Sequence, residues 1–133
     1  MRPFLPAFAC FLLVMSSSAA DWKNVEPTQT WQGSLDSEPN DGGMPVVIST
    51  AAGFAATWKK LGRAEAVPEI DWTKNVAVLA TTRGSRINLR ARIDAAGNLV
   101  TSGVATRDIR PGHRYSLGIF SRDGVTAVNG AKL

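Results

Sequence analysis

The fold is decided by residues 76–93, whose sequence is VAVLATTRGSRINLRARI. Residues 76–80 form an unbroken apolar run, which predicts a central strand covered on both faces. After a break at residues 83–85, polar and apolar residues alternate, as in a strand with one buried face. The apolar set is Ile87, Leu89, Ala91 and Ile93, and the polar set is Arg86, Asn88, Arg90 and Arg92.

Downstream of this stretch, turn residues separate further short strands. Residues 94–98 predict a hairpin connection, with Gly97 where a positive φ is needed. The return strand is expected over residues 99–105, another strand over 115–120, and a final strand over 125–128 that closes a terminal hairpin. Residues 108–112 are predicted to be a loop, with Pro111 and Gly112 as its turn signal.

Upstream, one segment predicts a helix at about residues 50–61. Phe54, Trp58 and Leu61 recur at helical spacing, and Ser49 or Thr50 can cap the first turn. Gly62 supplies the residue that ends a helix in the left-handed conformation. Before the helix, residues 21–30 are expected to be an extended arm, 31–35 and 46–48 short strands, and 36–45 a loop.

These elements together predict an α+β fold, mainly antiparallel β-sheet and sandwich-like, with one α-helix. Residues 21–133 suit one domain, because 113 residues can bury a real core and no linker divides them.

The stretch from the helix into the central strand also resembles a known pattern. TWKKL at residues 57–61 and PEIDWTKNVAV at residues 68–78 resemble the W-x-x-L and P-x-I-D-F-x-K-x-x-V-V-V motifs of exported bacterial domains. These domains are similar to the C-terminal domain of the protease-complex lipoprotein PrcB, and the likeness covers about residues 46–93. The Gly-Tyr that the family carries before its next strand is missing here. The resemblance implies a small noncatalytic exported domain that binds another protein.

The first 20 residues have the layout of a secretory signal peptide. Arg2 is followed by an apolar run over residues 8–15, and Ser18, Ala19 and Ala20 are the small residues that precede cleavage. The run is far shorter than the ~20 residues of a membrane-spanning helix. The sequence therefore predicts a periplasmic or secreted protein with no transmembrane segment after cleavage. Cleavage would also remove Cys10, the only cysteine.

Charge divides the remaining chain into two unlike halves. Residues 21–82 carry eight Asp/Glu and five Lys/Arg, whereas residues 83–133 carry three Asp/Glu and nine Lys/Arg. Arg86, Arg90 and Arg92 should project from one side of one strand, about 7–13 Å apart at ~3.3 Å per residue. We call these three residues the arginine face. Arg83 and Arg114 are expected in neighbouring loops and complete the candidate binding residues.

No catalytic, cofactor or metal site is predicted. His113 is the only histidine and is expected in a surface loop, and no spacing of carboxylates around it suggests a metal site. There is no phosphate loop, dinucleotide fingerprint or G-x-S-x-G motif. Asp71 is expected to cap the turn that follows it by accepting a bond from the amide of Thr73 or Lys74.

Three hypotheses about function remain open. The first is a noncatalytic protein-binding domain of the bacterial envelope, associated with a protease or another assembly. The second is a binder of anionic polymer or lipid headgroups through the arginine face, because guanidinium groups form two-pronged hydrogen bonds with carboxylates and phosphates. The alternative is that these arginines bind no ligand and only keep the sheet surface hydrated. The third is a hydrolase with an unrecognised site. Nucleic acid is a poor candidate, because aromatic residues are not interleaved with the arginines.

The signal-peptide layout predicts cleavage between Ala20 and Asp21 on export. N-terminal sequencing of the exported protein should give Asp-Trp-Lys-Asn as its first residues. A mature protein that still begins at Met1, or one that carries lipid on Cys10, would contradict this prediction.

Overall fold

Two β-sheets and one helix make up the part of the chain that the computed structural model describes, residues 21–36 and 45–133. The predicted signal peptide, and residues 37–44 of the predicted loop, lie outside the described residues. The elements are β1 Lys23–Val25, β2 Gln29–Leu35, β3 Val46–Ile48, α1 Ala51–Lys60, β4 Asn75–Thr82, β5 Ile87–Ile93, β6 Asn98–Ala105, β7 His113–Ser121, β8 Ala127–Val128 and β9 Ala131–Lys132.

Helix α1 begins and ends as its sequence predicts. The Thr50 hydroxyl accepts a hydrogen bond from the Gly53 amide at 3.1 Å, which satisfies one free donor of the first turn. Leu61 is the C-cap, and Gly62 follows with a φ of 63°, a conformation that glycine adopts without a steric penalty. The prediction of a helix at about residues 50–61 is confirmed.

Strand β4 lies inside a four-stranded antiparallel sheet of order β2-β7-β4-β3. Residues 76–80 are all buried, so the predicted central strand with two covered faces is confirmed. Successive side chains point to opposite faces of a sheet. The apolar run therefore supplies two separate cores, one on each side of β4.

The first core lies between the sheet and α1. The helix buries Phe54 and Trp58 against Leu79 and Leu117 of the sheet. Trp31 meets the Trp58 ring edge-on, with 5.2 Å between the ring centroids. Trp72 packs against Phe54 at 5.1 Å, although its side chain is only partly buried.

The second core lies between the four-stranded sheet and the other sheet. Val76, Val78 and Phe120 face Leu99 and Val128 there, and all five are buried. The molecule thus has three layers: the helix, the four-stranded sheet and the five-stranded sheet.

The five-stranded sheet, of order β1-β5-β6-β8-β9, contains the alternating strand. Strands β5 and β6 form the predicted hairpin, with Gly97 at a φ of 87° in its turn. The prediction of an extended arm over residues 21–30 was wrong for residues 23–25 and 29–30. Residues 23–25 form strand β1, which pairs with β5, and residues 29–30 are the first two residues of β2. The extended backbone satisfies its hydrogen bonds on neighbouring strands.

The predicted terminal hairpin was also wrong in its pairing. Strand β8 pairs in parallel with β6 rather than with β7, and its antiparallel partner is β9. The turn before it was placed correctly, because the Val125 amide bonds the Arg122 carbonyl at 2.9 Å and Gly124 has a φ of 71°.

The fold is an α+β, sandwich-like arrangement of mainly antiparallel strands with one helix, as the sequence predicts. Within residues 21–36 and 45–133, no helix has the length and apolarity needed to cross a membrane.

Candidate binding face

The outward side of β5 presents the arginine face. Ile87 and Ala91 are buried on the inward side, whereas Arg90 and Arg92 are exposed. Arg86 precedes the strand, and its carbonyl accepts the Thr106 amide at 3.1 Å, which continues the β5–β6 register by one pair. The expected alternation is confirmed, and the three arginines follow one another along one side of the strand.

Uncharged residues of the adjacent strands flank the arginines. Across from Arg92 lie Asn24 on β1 and Val100 on β6. Ser102 is opposite Arg90. Val104, opposite Asn88, is 48% exposed and adds an apolar group to this surface. On these two strands, the groups that flank the arginines are amides, hydroxyls and apolar side chains.

Trp22 holds one guanidinium of this face in place. The Arg92 guanidinium carbon lies 4.6 Å from the centroid of the Trp22 ring, within the range of a cation–π interaction. Trp22 remains 40% exposed. Because Arg92 is stacked on the ring, less side-chain freedom remains to be lost when a ligand binds it.

Two shallow depressions adjoin Arg90. The first, of about 310 Å³, lies between Arg90 and Arg92 and is also lined by Asn24, Val100 and Ser102. The second, of about 350 Å³, shares Asn24 and Arg90 but includes the carboxylate residue Glu26. Of these two depressions, only the first is therefore lined by arginine without a carboxylate residue.

Within residues 21–36 and 45–133, no carboxylate forms an ion pair with the arginine face. Among the described residues the ion pairs are Arg63–Glu65 and Arg110–Asp108, at 3.0 and 3.1 Å, and neither involves the arginine face. Exposed, unpaired guanidinium groups can form two-pronged hydrogen bonds with carboxylates or phosphates.

Arg114 does not join this face. It lies in β7 rather than in the predicted loop, and its guanidinium donates to five backbone carbonyls. Those carbonyls belong to Arg83, Gly84, Arg110, Pro111 and Gly112. Arg114 therefore joins the β4–β5 turn to the loop that precedes β7. Because Arg114 lies in a strand beside two loops, its guanidinium can donate hydrogen bonds to loop carbonyls that have no partner in the β-sheets.

Arg83 lies in the β4–β5 turn that Arg114 clamps. Its side chain is exposed, while its carbonyl accepts bonds from the Arg110 amide at 2.9 Å and from Arg114 at 3.1 Å. Nearby, a Cβ on Gly84 would lie 2.5 Å from the Thr106 carbonyl oxygen, so only glycine fits this approach of turn and strand.

Asp108 stabilises the same region from the other loop. Hydrogen bonds to the carboxylate hold the pKa of Asp108 well below its usual range. The largest contribution comes from the Thr106 side chain, followed by the Ser85 amide, the Ser85 hydroxyl and Arg110. A depressed carboxyl pKa means that this stabilisation is present above the usual aspartate pKa and is lost as the pH falls through the lowered one.

His113 is in the strand β7, opposite Leu35, and half-buried, so the prediction of a surface loop was wrong. In the described part of the chain, no three His, Cys, Asp or Glu residues group as a metal site would require. Asp71 caps its turn as predicted, because its carboxylate accepts the Thr73 amide at 3.0 Å.

A further depression, of about 720 Å³, lies elsewhere, between α1 and residues 67–72. Phe54, Val67, Ile70 and Trp72 contribute to its lining. The Asp71 carboxylate at this depression is already bonded to both the amide and the hydroxyl of Thr73. This depression is therefore largely an apolar gap beside the helix rather than a set of converging polar groups.

Comparison of the chain with family models, with curated proteins and with solved structures finds no match. The case for the arginine face as a binding site therefore depends on its geometry alone.

Sequence reasoning missed Trp22 and Asn24 as neighbours of the arginines. Strand β1 has only three residues, too few for a periodic signal, and its pairing with β5 is a tertiary contact. In the sequence, Trp22 lies more than 60 residues from Arg86, so no local signal joins it to the arginines.

The contacts of Arg114 predict a structural role that lysine cannot replace. Arg114→Lys should lower the free energy of unfolding by at least about 1.5 kcal/mol, because hydrogen bonds to charged groups contribute about 1.5–3 kcal/mol each. Urea unfolding measures this. Arg90→Lys, an exposed control, should change it by under ~0.5 kcal/mol. Equal small effects of both substitutions would contradict the assigned role of Arg114.

Proposed function

We propose that this chain is a noncatalytic binding domain of the bacterial envelope, which docks an acidic surface of a protein partner on the arginine face. The observation that carries the proposal is the row of three exposed arginines on one side of one strand. None of them is paired with a carboxylate in residues 21–36 or 45–133.

A rigid support favours binding through these residues. Strand β5 is paired on both sides, by β1 and β6, and its inward face packs on the second core. Side chains on such a strand are presented in a fixed register, so the partner need not order the backbone on binding. Pre-organisation of this kind raises affinity by lowering the entropy lost on association.

The surroundings of the arginines favour a protein partner over a uniformly charged polymer. Protein interfaces are enriched in tryptophan and arginine and combine apolar with polar contacts. Trp22, Val100 and Val104 supply the apolar and aromatic part of such a surface. A polyanion would use the charges alone and leave these groups without a counterpart.

Two sequence features support the envelope as the location. The first 20 residues have the layout of a signal peptide. The likeness of residues 46–93 to domains of a protease-associated lipoprotein points to a partner in the same compartment, with a protease or envelope assembly as the first place to search.

The proposal predicts that Arg86→Gln, Arg90→Gln and Arg92→Gln together abolish partner binding while the protein stays folded. Exposed substitutions usually change stability by under ~0.5 kcal/mol each. The test is affinity capture from the envelope fraction of the native host, followed by binding measurements with the purified partner. Wild-type binding should weaken steeply between low and physiological salt, because exposed charges are screened.

A control variant removes the same number of charges elsewhere. Lys59, Lys60 and Lys74 are exposed and lie outside the arginine face, so changing all three to glutamine should leave binding within about twofold of wild type. If the arginine variant binds the partner as tightly as wild type, the face is only a solvated surface. Recovery of a salt-labile polymer instead of one stoichiometric protein would refute the protein partner and favour the anionic-polymer hypothesis.

A further inference from the structure

Sheet edges in this molecule are not equally protected. The four edge strands are β1 and β9 of one sheet and β2 and β3 of the other. Strands β1 and β3 have three residues and β9 has two, and both β1 and β9 carry a lysine. Short length and lysine are two of the means by which proteins prevent a foreign strand from pairing with an edge.

Strand β2 has neither means of protection. Its seven residues, Gln29–Leu35, have the sequence QTWQGSL, without charge or proline. They pair with β7 in unbroken register from Gln29 opposite Ile119 to Leu35 opposite His113. In the described part of the chain β7 is the only strand that pairs with β2. Every second residue of β2 therefore directs its N–H and C=O groups to the other side of the strand, where no strand of the described residues pairs with them.

We propose that β2 pairs antiparallel with β2 of a second copy of this chain. The resulting two-fold dimer joins two four-stranded sheets into one continuous sheet of eight strands. Addition of a strand at an open edge gains affinity from main-chain hydrogen bonds and specificity from the side chains that alternate along it.

The sequence of β2 is complementary to itself about Gln32. A two-fold axis at this residue pairs all seven residues and places Trp31 of each copy opposite Gly33 of the other. Thr30 then faces Ser34, a pair of hydroxyl residues that can hydrogen-bond across strands. Large therefore meets small at Trp31 and Gly33, and polar meets polar at Thr30 and Ser34. The two Gln32 residues face each other on the axis, and at each end of the pairing Gln29 lies opposite Leu35.

The local packing prepares Trp31 and Gly33 for this contact. Trp31 is half-buried, with its ring held against Phe54 and Trp58 at centroid distances of 6.1 and 5.2 Å. A Cβ on Gly33 would lie 2.7 Å from the Tyr115 hydroxyl, so the tyrosine covers the glycine. Trp31 of the second copy would meet the aromatic surface of Tyr115 beside it.

Charge favours a second copy as the occupant of this edge. The chain has a net charge of +4, so two copies repel unless they meet through a neutral surface. Strand β2 is neutral, and the arginine face belongs to the other sheet. An acidic partner would instead be drawn to the arginines, so the two surfaces suit different occupants.

Sedimentation velocity over about 1–500 µM protein tests the dimer. Wild type should pass from monomer to dimer with rising concentration. In Thr30→Lys/Ser34→Lys, like charges face each other twice across the axis, so the dissociation constant should rise at least about tenfold. In Thr30→Lys/Ser34→Glu each lysine faces a glutamate, so dimerisation should return to within about threefold of wild type.

Two further measurements separate the dimer from a folding defect. Ala66→Lys/Ala95→Lys adds the same two charges at exposed positions outside β2 and should dimerise like wild type. Amide hydrogen exchange in wild type should slow in residues 29–35 as the concentration rises. A wild type that stays monomeric, exchange that is independent of concentration, or equal dimerisation of the double-lysine variant would each overturn the proposal.

Discussion

The rest of the structure depends on the pairing of β4 with β7, two strands that are covered on both faces. Their register runs from Asn75 opposite Ser121 to Thr82 opposite Arg114. Because side chains alternate, one set of residues meets the helix and the other meets the second sheet. Burial on two sides suits a chain without cysteine after residue 20, since apolar packing must supply the stability that a disulfide could otherwise provide.

This layering also fixes what each surface can do. The central strands β4 and β7 are enclosed, whereas the outward face of the five-stranded sheet is a broad surface left to solvent, within the residues that the structure describes. That surface carries the arginine face. The same layering leaves β2 at an edge of its sheet, where its backbone is available for pairing. The proposed docking face and the proposed pairing edge therefore lie on different sheets.

Local patterns were sufficient to predict the helix, the central strand and the β5–β6 hairpin. Each has a signal within its own residues: helical spacing, an apolar run, or alternation closed by Gly97. What failed was pairing between distant segments, such as β1 with β5 and β8 with β6. The role of Arg114 could not be predicted either, because its five carbonyl partners lie in two loops that only the fold brings together.

The central claim, that β4 is covered on both faces, is tested most directly at two adjacent residues. Val78 faces the five-stranded sheet and Leu79 faces the helix, and both are buried. Val78→Ser and Leu79→Ser should each lower the free energy of unfolding in urea by at least about 2 kcal/mol, because each opens a cavity and buries a hydroxyl. Val104→Ser, at an exposed site, should cost under ~0.5 kcal/mol. If either buried variant were as mild as this control, one face of β4 would be open to water and the three-layer account would be wrong.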